Sequence, residues 1–317
     1  MKDRTDKSKD AGSGGIALIA EAPFAPVEVL EPARWSVPFI FASPHSGRRY
    51  PADLFEKSCL SLARMRASED AYVDLLIDDI PSLGAPVLKA LFPRLVLDVN
   101  RSSSELDPLM FSGKLPPGAE TRSSRVLAGF GVIPRLGAEG REIYRRRLDL
   151  AEAQNRLDLY YRPYHQALRD LIAESQKRFG CAILIDCHSM PSTMPATMIG
   201  ASIRNPSSKA VDIVLGDRFG HSCANGLTGL AERLFADAGY TVTRNHPYAG
   251  GYVAHSYGKP LKGVHVLQIE MSRRLYMDER RITRHKGFED LRHNLKSIFA
   301  TLTAITPEAL RPNLAAE

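Results

Sequence analysis

Four short apolar runs in this chain each lead to a polar side chain able to do chemistry. Val37–Ala42 runs on to His45, Leu95–Val99 to Asn100 and Arg101, Cys181–Cys187 (CAILIDC) to His188, and Val264–Ile269 to Glu270. Short runs dense in Val, Ile, Leu and Phe read as strands buried on both faces. Pro86–Leu91, Met194–Ala201, Val211–Leu215 and Tyr240–Thr243 are further strand candidates. Elsewhere the apolar spacing is helical: Asp70–Ile80, stopping at Pro81; Glu142–Phe179, with a break or kink before Pro163; His221–Ala238; and Glu279–Leu302. This alternation predicts an α/β chain. In open α/β sheets ligands bind beyond the carboxyl ends of the strands. Four reactive side chains at such ends therefore point to one shared site.

The length, 317 residues, suits one large domain or two medium ones. Residues 1–20 read as a flexible leader, 21–306 as the folded unit and 307–317 as a frayed tail. The leader mixes charges of both signs with Gly and Ser and lacks the apolar stretch of a signal peptide. No run of 18 apolar residues is present, so no spanning helix is expected. Cys59, Cys181, Cys187 and Cys223 contain no C-x-x-C pair, which suggests reduced thiols and a cytoplasmic setting. The net charge of +6 is mild. Its densest basic run, Arg141–Arg147 (REIYRRR), sits in the helical pattern and reads as a solvated face. Without interleaved aromatics it makes no nucleic-acid surface. The positive balance does suit an anionic small-molecule partner.

There is no G-x-S-x-G elbow, Walker A loop, G-x-G-x-x-G or H-E-x-x-H. These absences argue against an α/β-hydrolase, a P-loop enzyme, a dinucleotide-binding enzyme and a standard zincin. His45 lies in a tight P-H-S-G turn and His188 follows Asp186 at the two-residue spacing of one strand face. A carboxylate beside a metal-bound imidazole is the usual supporting arrangement, although Asp186 also fits a capping role. Glu69 and Asp70 follow Ser68 and read equally as a helix N-terminus or as the carboxylate of a two-His, one-carboxylate metal site. Glu270 ends an apolar run and is either a general base or half of a salt bridge to Arg273 or Arg274. Asn100 and Arg101 could grip a substrate carboxylate or serve an internal ion pair. Asn245–Gly258 carries Gly251, His255 and Tyr257 in a polar, glycine-rich loop. His165 reads as a packing residue, and His221, His265, His285 and His293 carry no assignment.

Taken in order, SPHSG (43–47), SEDAYVD (68–74), RLVLDVNR (94–101), YRPYH (161–165), LIDCHS (184–189), AGGYVAHSYG (249–258) and HVLQIEMSRRLYMDE (265–279) resemble the N-formylglutamate amidohydrolase family. The family is similar to the zinc carboxypeptidases. The resemblance implies one α/β domain with a mixed, eight-stranded central sheet and helices on both faces. It also implies Zn2+ on His45, His188 and Asp70 (Glu69 as the fallback) with Asp186 supporting, and Glu270 as general base. Asn100 and Arg101 match a pair that grips the substrate carboxylate, and Gly251, His255 and Tyr257 fall in the pocket loop. The implied substrate is a small anionic acyl amino acid, N-formyl-L-glutamate first, with another N-acyl amino acid or a short peptide as the alternative. A non-catalytic binding protein on the same scaffold is a third possibility. Manganese, iron or cobalt suit the same ligand types. The chain departs from the carboxypeptidase pattern in one respect. There the first histidine and the carboxylate lie three residues apart; here His45 and Asp70 come from separate segments.

Overall fold

A strand buried on both faces needs apolar side chains at odd and even positions alike. Ala182–Met190 meets that demand, with all nine residues buried, and so does Val264–Ser272. In the computed structural model, which describes residues 18–20, 24–193 and 210–305, these two strands form the centre of a mixed sheet of seven. The strands are β1 (Val27–Leu30), β2 (Phe39–Ser43), β3 (Val87–Ala90), β4 (Ala182–Met190), β5 (Ile213–Gly216), β6 (Val242–Arg244) and β7 (Val264–Ser272). Across the sheet they run β6-β5-β7-β4-β2-β3-β1. Four neighbours, β3, β2, β4 and β7, are parallel; β1, β5 and β6 run the other way. The described residues thus give the implied mixed sheet, with seven strands in place of eight.

Helices cover both faces. They are α1 (Ala52–Lys57), α2 (Leu62–Arg66), α3 (Val73–Leu76), α4 (Ser124–Leu127), α5 (Leu150–Arg156), α6 (Arg162–Phe179), α7 (Asn225–Asp237), α8 (Tyr252–Tyr257) and α9 (Gly287–Thr303). Alternation along the strands sorts the core. Ile40, Ala42, Leu184 and Val266 pack with Leu168, Leu171 and Ile172 of α6. Phe39, Phe41, Ile185, Leu267 and Ile269 pack with Leu227 and Phe235 of α7 and Leu291 and Phe299 of α9. The same parity puts Asp186, His188, Gln268 and Glu270 on the α6 side of the sheet, since they step by two from Leu184 and Val266. In-register pairing sets Glu270 beside His188.

Several expectations are corrected. Leu95–Val99 is not a strand. Its backbone turns instead, with Val96 donating to the carbonyl of Pro93 and Arg101 to that of Asp98. The apolar side chains are buried because the segment packs into the α6-side core, and apolar content alone cannot tell a buried loop from a buried strand. Residues 142–149 are not helical; α5 starts only at Leu150, so Arg141–Arg147 is an irregular, largely exposed stretch rather than a helix face. A π-helical turn, Leu157–Tyr161, lies where a break before Pro163 was expected. The helix expected over Asp70–Ile80 shrinks to Val73–Leu76 followed by a 3-10 turn that contains Pro81. The closing helix begins at Gly287 rather than Glu279, because Met277–Asp278 and Thr283–Arg284 pair as a small antiparallel ribbon. Both long polar strands outrun their expected ends: β4 continues to Met190 and β7 to Ser272, so His188 and Glu270 lie within the last turn of pleat. Leu18–Ala20, in the expected leader, pairs with Arg49–Pro51. The rest of that leader, Met194–Ala201 and the tail from 307 lie outside the described residues. Among the described residues no helix is long and apolar enough to cross a membrane.

Candidate metal centre and active site

Three parallel strands in a row, β2, β4 and β7, end at one edge of the sheet. His188 and Glu270 project from the last residues of β4 and β7, and His45 from the turn two residues beyond β2. That turn needs its glycine. A Cβ on Gly47 would sit 2.1 Å from the carbonyl oxygen of Phe92, so only glycine lets the two backbones meet. Asp70 returns to the site from 25 residues further on by donating its backbone N–H to the carbonyl of His45, at 3.0 Å. Ser46 secures the same junction by accepting from the backbone N–H of Asp74.

His45, Asp70 and His188 are buried and converge. Asp70 Oδ2 lies 3.4 Å from His45 Nδ1 and 3.2 Å from His188 Nδ1, and one ligand atom from each residue fits within 4.8 Å of the others. His45 Nδ1 is buried with no hydrogen-bond partner. The opposite ring nitrogens face carboxylates: His45 Nε2 is 2.7 Å from Asp98 Oδ1, and His188 Nε2 is 3.0 Å from Asp186 Oδ2. Two imidazoles whose inner nitrogens meet a carboxylate, and whose outer nitrogens are each backed by another, could hold a divalent cation. An orphaned buried nitrogen aimed into that cluster is what a missing ligand bond leaves. Glu69, the fallback ligand, turns away: it accepts from Tyr50 Oη at 2.6 Å and pairs with Arg66 at 3.3 Å.

The electrostatics fit the same picture. Burial works to raise the pKa of Asp70, but its contacts with His188 and His45 and the charge of Arg94 override it and hold the carboxylate well below its usual range. Burial likewise opposes charge on His188, and Asp186, Asp70 and Glu270 together outweigh it, favouring a cation at this spot. Glu270 behaves differently. Burial is the dominant influence and raises its pKa above the ordinary carboxylate value, against the pull of His188. Its Oε1 accepts from Gln268 Nε2 at 2.8 Å. The alternative partners are used elsewhere: Arg273 reaches Asp70 Oδ1 at 3.3 Å, and Arg274 reaches Asp212 at 2.5 Å.

These groups line a pocket of about 870 Å³. Residues 124–138 form one wall, Arg218 and His246–Gly251 another. Asn100 and Gly251 interlock there. A Cβ on Gly251 would lie 2.4 Å from the Asn100 amide, which itself accepts from the backbone N–H of Val253 at 2.8 Å. The Asn100 Nδ2 lies 3.3 Å from His188 Nε2. Asn100 is therefore fully engaged with the protein. Arg101 lines the pocket but spends Nε on the Phe130 carbonyl and Nη1 on that of Asn100. Burial pushes its pKa down to about 10, Asp98 working against that and Arg125 and Arg94 with it. His255 is exposed on α8 and Tyr257 bonds His165; neither lines the pocket.

Some residues here carried no mark in the sequence reading. Asp98 was hidden inside the expected strand, though its two-residue spacing to Asn100 repeats that of Asp186 to His188. Gln268 has the same spacing to Glu270. Arg94 pairs with Asp98 at 2.6 Å and approaches Asp70 at 3.8 Å, which puts a guanidinium beside the His45–Asp70–His188 cluster.

The comparisons with known proteins agree with one another. The N-formylglutamate amidohydrolase family profile matches residues 37–277. N-formylglutamate deformylase of Pseudomonas aeruginosa is 30% identical over 255 residues, covering 80% of this chain and 86% of that one. The enzyme of the same name from Pseudomonas putida is 29% identical over 246 residues, covering 77% and 83%. A crystal structure of N-formylglutamate amidohydrolase from Ralstonia eutropha JMP134 superposes with a TM-score of 0.81 at 36% identity, covering 88% of this chain and 99% of that one. The chain belongs to the N-formylglutamate amidohydrolase family.

Proposed function

We propose that this protein is a metal-dependent amidohydrolase that cleaves N-formyl-L-glutamate to formate and L-glutamate, with zinc as the resident ion. The observation that carries the metal is the convergence of His45 Nδ1, His188 Nδ1 and Asp70 Oδ2, with Asp98 and Asp186 behind the two rings. The relatives named N-formylglutamate deformylase support the substrate. When bound, zinc would polarise the formyl carbonyl and lower the pKa of water towards about 7.

The chain's own residues supply the rest. Asp98 and Asp186 fix the ring orientation of His45 and His188 and keep their inner lone pairs available. Glu270 takes a proton from the attacking water and passes it to the leaving nitrogen. A raised pKa suits both steps, because the carboxyl must accept and then release the same proton near neutral pH. Arg94 offers positive charge where the carbonyl oxygen becomes negative. Arg101 turns its guanidinium charge towards a substrate carboxylate, with Nη2 3.8 Å from Asp98 Oδ2. The setting we propose is cytoplasmic. The size of the pocket favours a second reading, in which the acyl group is larger than formyl.

Metal analysis of the purified protein, followed by formate release from N-formyl-L-glutamate before and after chelation, tests the proposal. About one zinc per chain and release that chelation abolishes and zinc restores are expected. Release that persists in fully metal-free protein would overturn the metal role; metal without release would move the question to longer acyl groups.

A further inference from the structure

Five guanidinium groups line the pocket, and three already have partners within the protein. Arg94 pairs with Asp98 and Asp70, Arg273 with Asp70, and Arg101 with two backbone carbonyls and, at 3.8 Å, Asp98. Arg125 and Arg218 make no side-chain hydrogen bond and no ion pair among the described residues. Both are only partly exposed. Arg125 stands on α4, whose start is fixed by Ser123: its hydroxyl accepts from the backbone N–H of Val126 at 3.2 Å and donates to Glu105 at 2.7 Å. It is close enough to Arg101 for the two like charges to oppose each other. Arg218 takes a left-handed backbone with φ 53°, and its stem fits against Gly250, where a Cβ would meet Arg218 Cγ at 3.0 Å. Both residues line a pocket whose acids already have partners. Uncompensated cations gathered in a half-buried cavity are unfavourable until an anion joins them.

We propose that Arg125 and Arg218 form a second carboxylate subsite, which reads the side-chain carboxylate of an acyl amino acid while Arg101 faces the carboxylate next to the scissile nitrogen. The subsite selects dicarboxylates, acyl-glutamate or acyl-aspartate, over neutral acyl amino acids. It rests on the hydrolase reading for its place in catalysis, but not for its affinity.

Binding and turnover separate the two. Calorimetric titration with glutarate and with butyrate compares a dianion with a monoanion on wild type, Arg125→Gln, Arg125→Lys and Arg218→Gln, each checked for an unchanged melting temperature. Glutarate should bind wild type about ten-fold or more tightly than butyrate, and each Gln variant should lose about ten-fold of the glutarate affinity, partly restored in Arg125→Lys. In parallel, the ratio of kcat/KM for N-formyl-L-glutamate over N-formyl-L-glutamine should collapse in the Gln variants, chiefly through KM. Unchanged glutarate affinity and an unchanged ratio in both Gln variants would overturn the subsite. Selective glutarate binding in a wild type that hydrolyses neither formyl substrate would support the subsite and overturn the hydrolase reading instead.

Discussion

Acid should cost this protein stability through one buried imidazole. His165 lies on α6 with Nε2 3.0 Å from the carbonyl oxygen of Val99 and Nδ1 2.8 Å from Tyr257 Oη. A carbonyl only accepts, so Nε2 carries the hydrogen, and Nδ1 accepts from the tyrosine. The neutral ring is satisfied on both sides. Tyr257 stacks on it and Tyr161, Tyr164 and Tyr252 surround it. Burial pushes its pKa down to about 4; the bond to Val99 and the charge of Asp186 oppose this, and Arg169 adds to it. In the unfolded chain the imidazole titrates near 6.5, so between those values the unfolded state holds a proton that the folded state does not. Stability from this group is full above pH 6.5 and is lost as pH falls towards 4. The whole effect is about 3 kcal/mol, of which about 2 kcal/mol is lost between pH 7 and pH 5. Urea unfolding of wild type and His165→Gln, in the same metal state, isolates it, because every other group titrates in both. Glutamine can keep the donor to Val99 but has no proton to gain. The difference in unfolding free energy should shrink by about 2 kcal/mol from pH 7 to pH 5. An equal difference at both pH values would refute the claim that burial keeps this ring neutral. The effect reaches the site, since Tyr161, one turn earlier, donates to the carbonyl of Arg101 at 3.0 Å, and the two side chains together hold the loop that presents Asp98, Asn100 and Arg101.

Other outcomes follow from the same geometry. Glu270→Gln should lower formate release by about 10² to 10⁴ while metal content stays near wild type, as steady-state kinetics and metal analysis would read together. Asp98→Asn should weaken metal affinity by about 10- to 100-fold in competition with a chelator, because His45 loses the carboxylate behind Nε2; an unchanged affinity would remove Asp98 from the site's support. Gly251→Ala forces a Cβ against the Asn100 amide and should cost about 1–3 kcal/mol in unfolding free energy, with reduced turnover. Chelation should lower the melting temperature as well as turnover, since His45, Asp70 and His188 belong to three separate segments that a bound cation would tie together.

The sheet edge was legible in the sequence because an α/β strand buried on both faces leaves few places for a charge. His188 and Glu270 stood out against β4 and β7 for that reason, and their parity with Asp186 and Gln268 follows from the two-residue repeat of a strand. The same density misled at Leu95–Val99. A loop that packs its side chains into a core has the composition of a strand, and only the partner of its backbone hydrogen bonds tells them apart. That misreading hid Asp98, since an acid inside a supposed strand core has no evident task. Arginines were the other blind spot. Arg94 and Arg273 reach Asp70 from far away in sequence, and Arg125 is brought to the pocket by an irregular excursion with no periodicity to place it. The strands fix where His188 and Glu270 stand, while the loops decide which guanidiniums stay unpaired. Chemistry is therefore the more readable property of this chain, because it rests on strand-end residues, whereas the proposed reading of the substrate rests on arginines in loops.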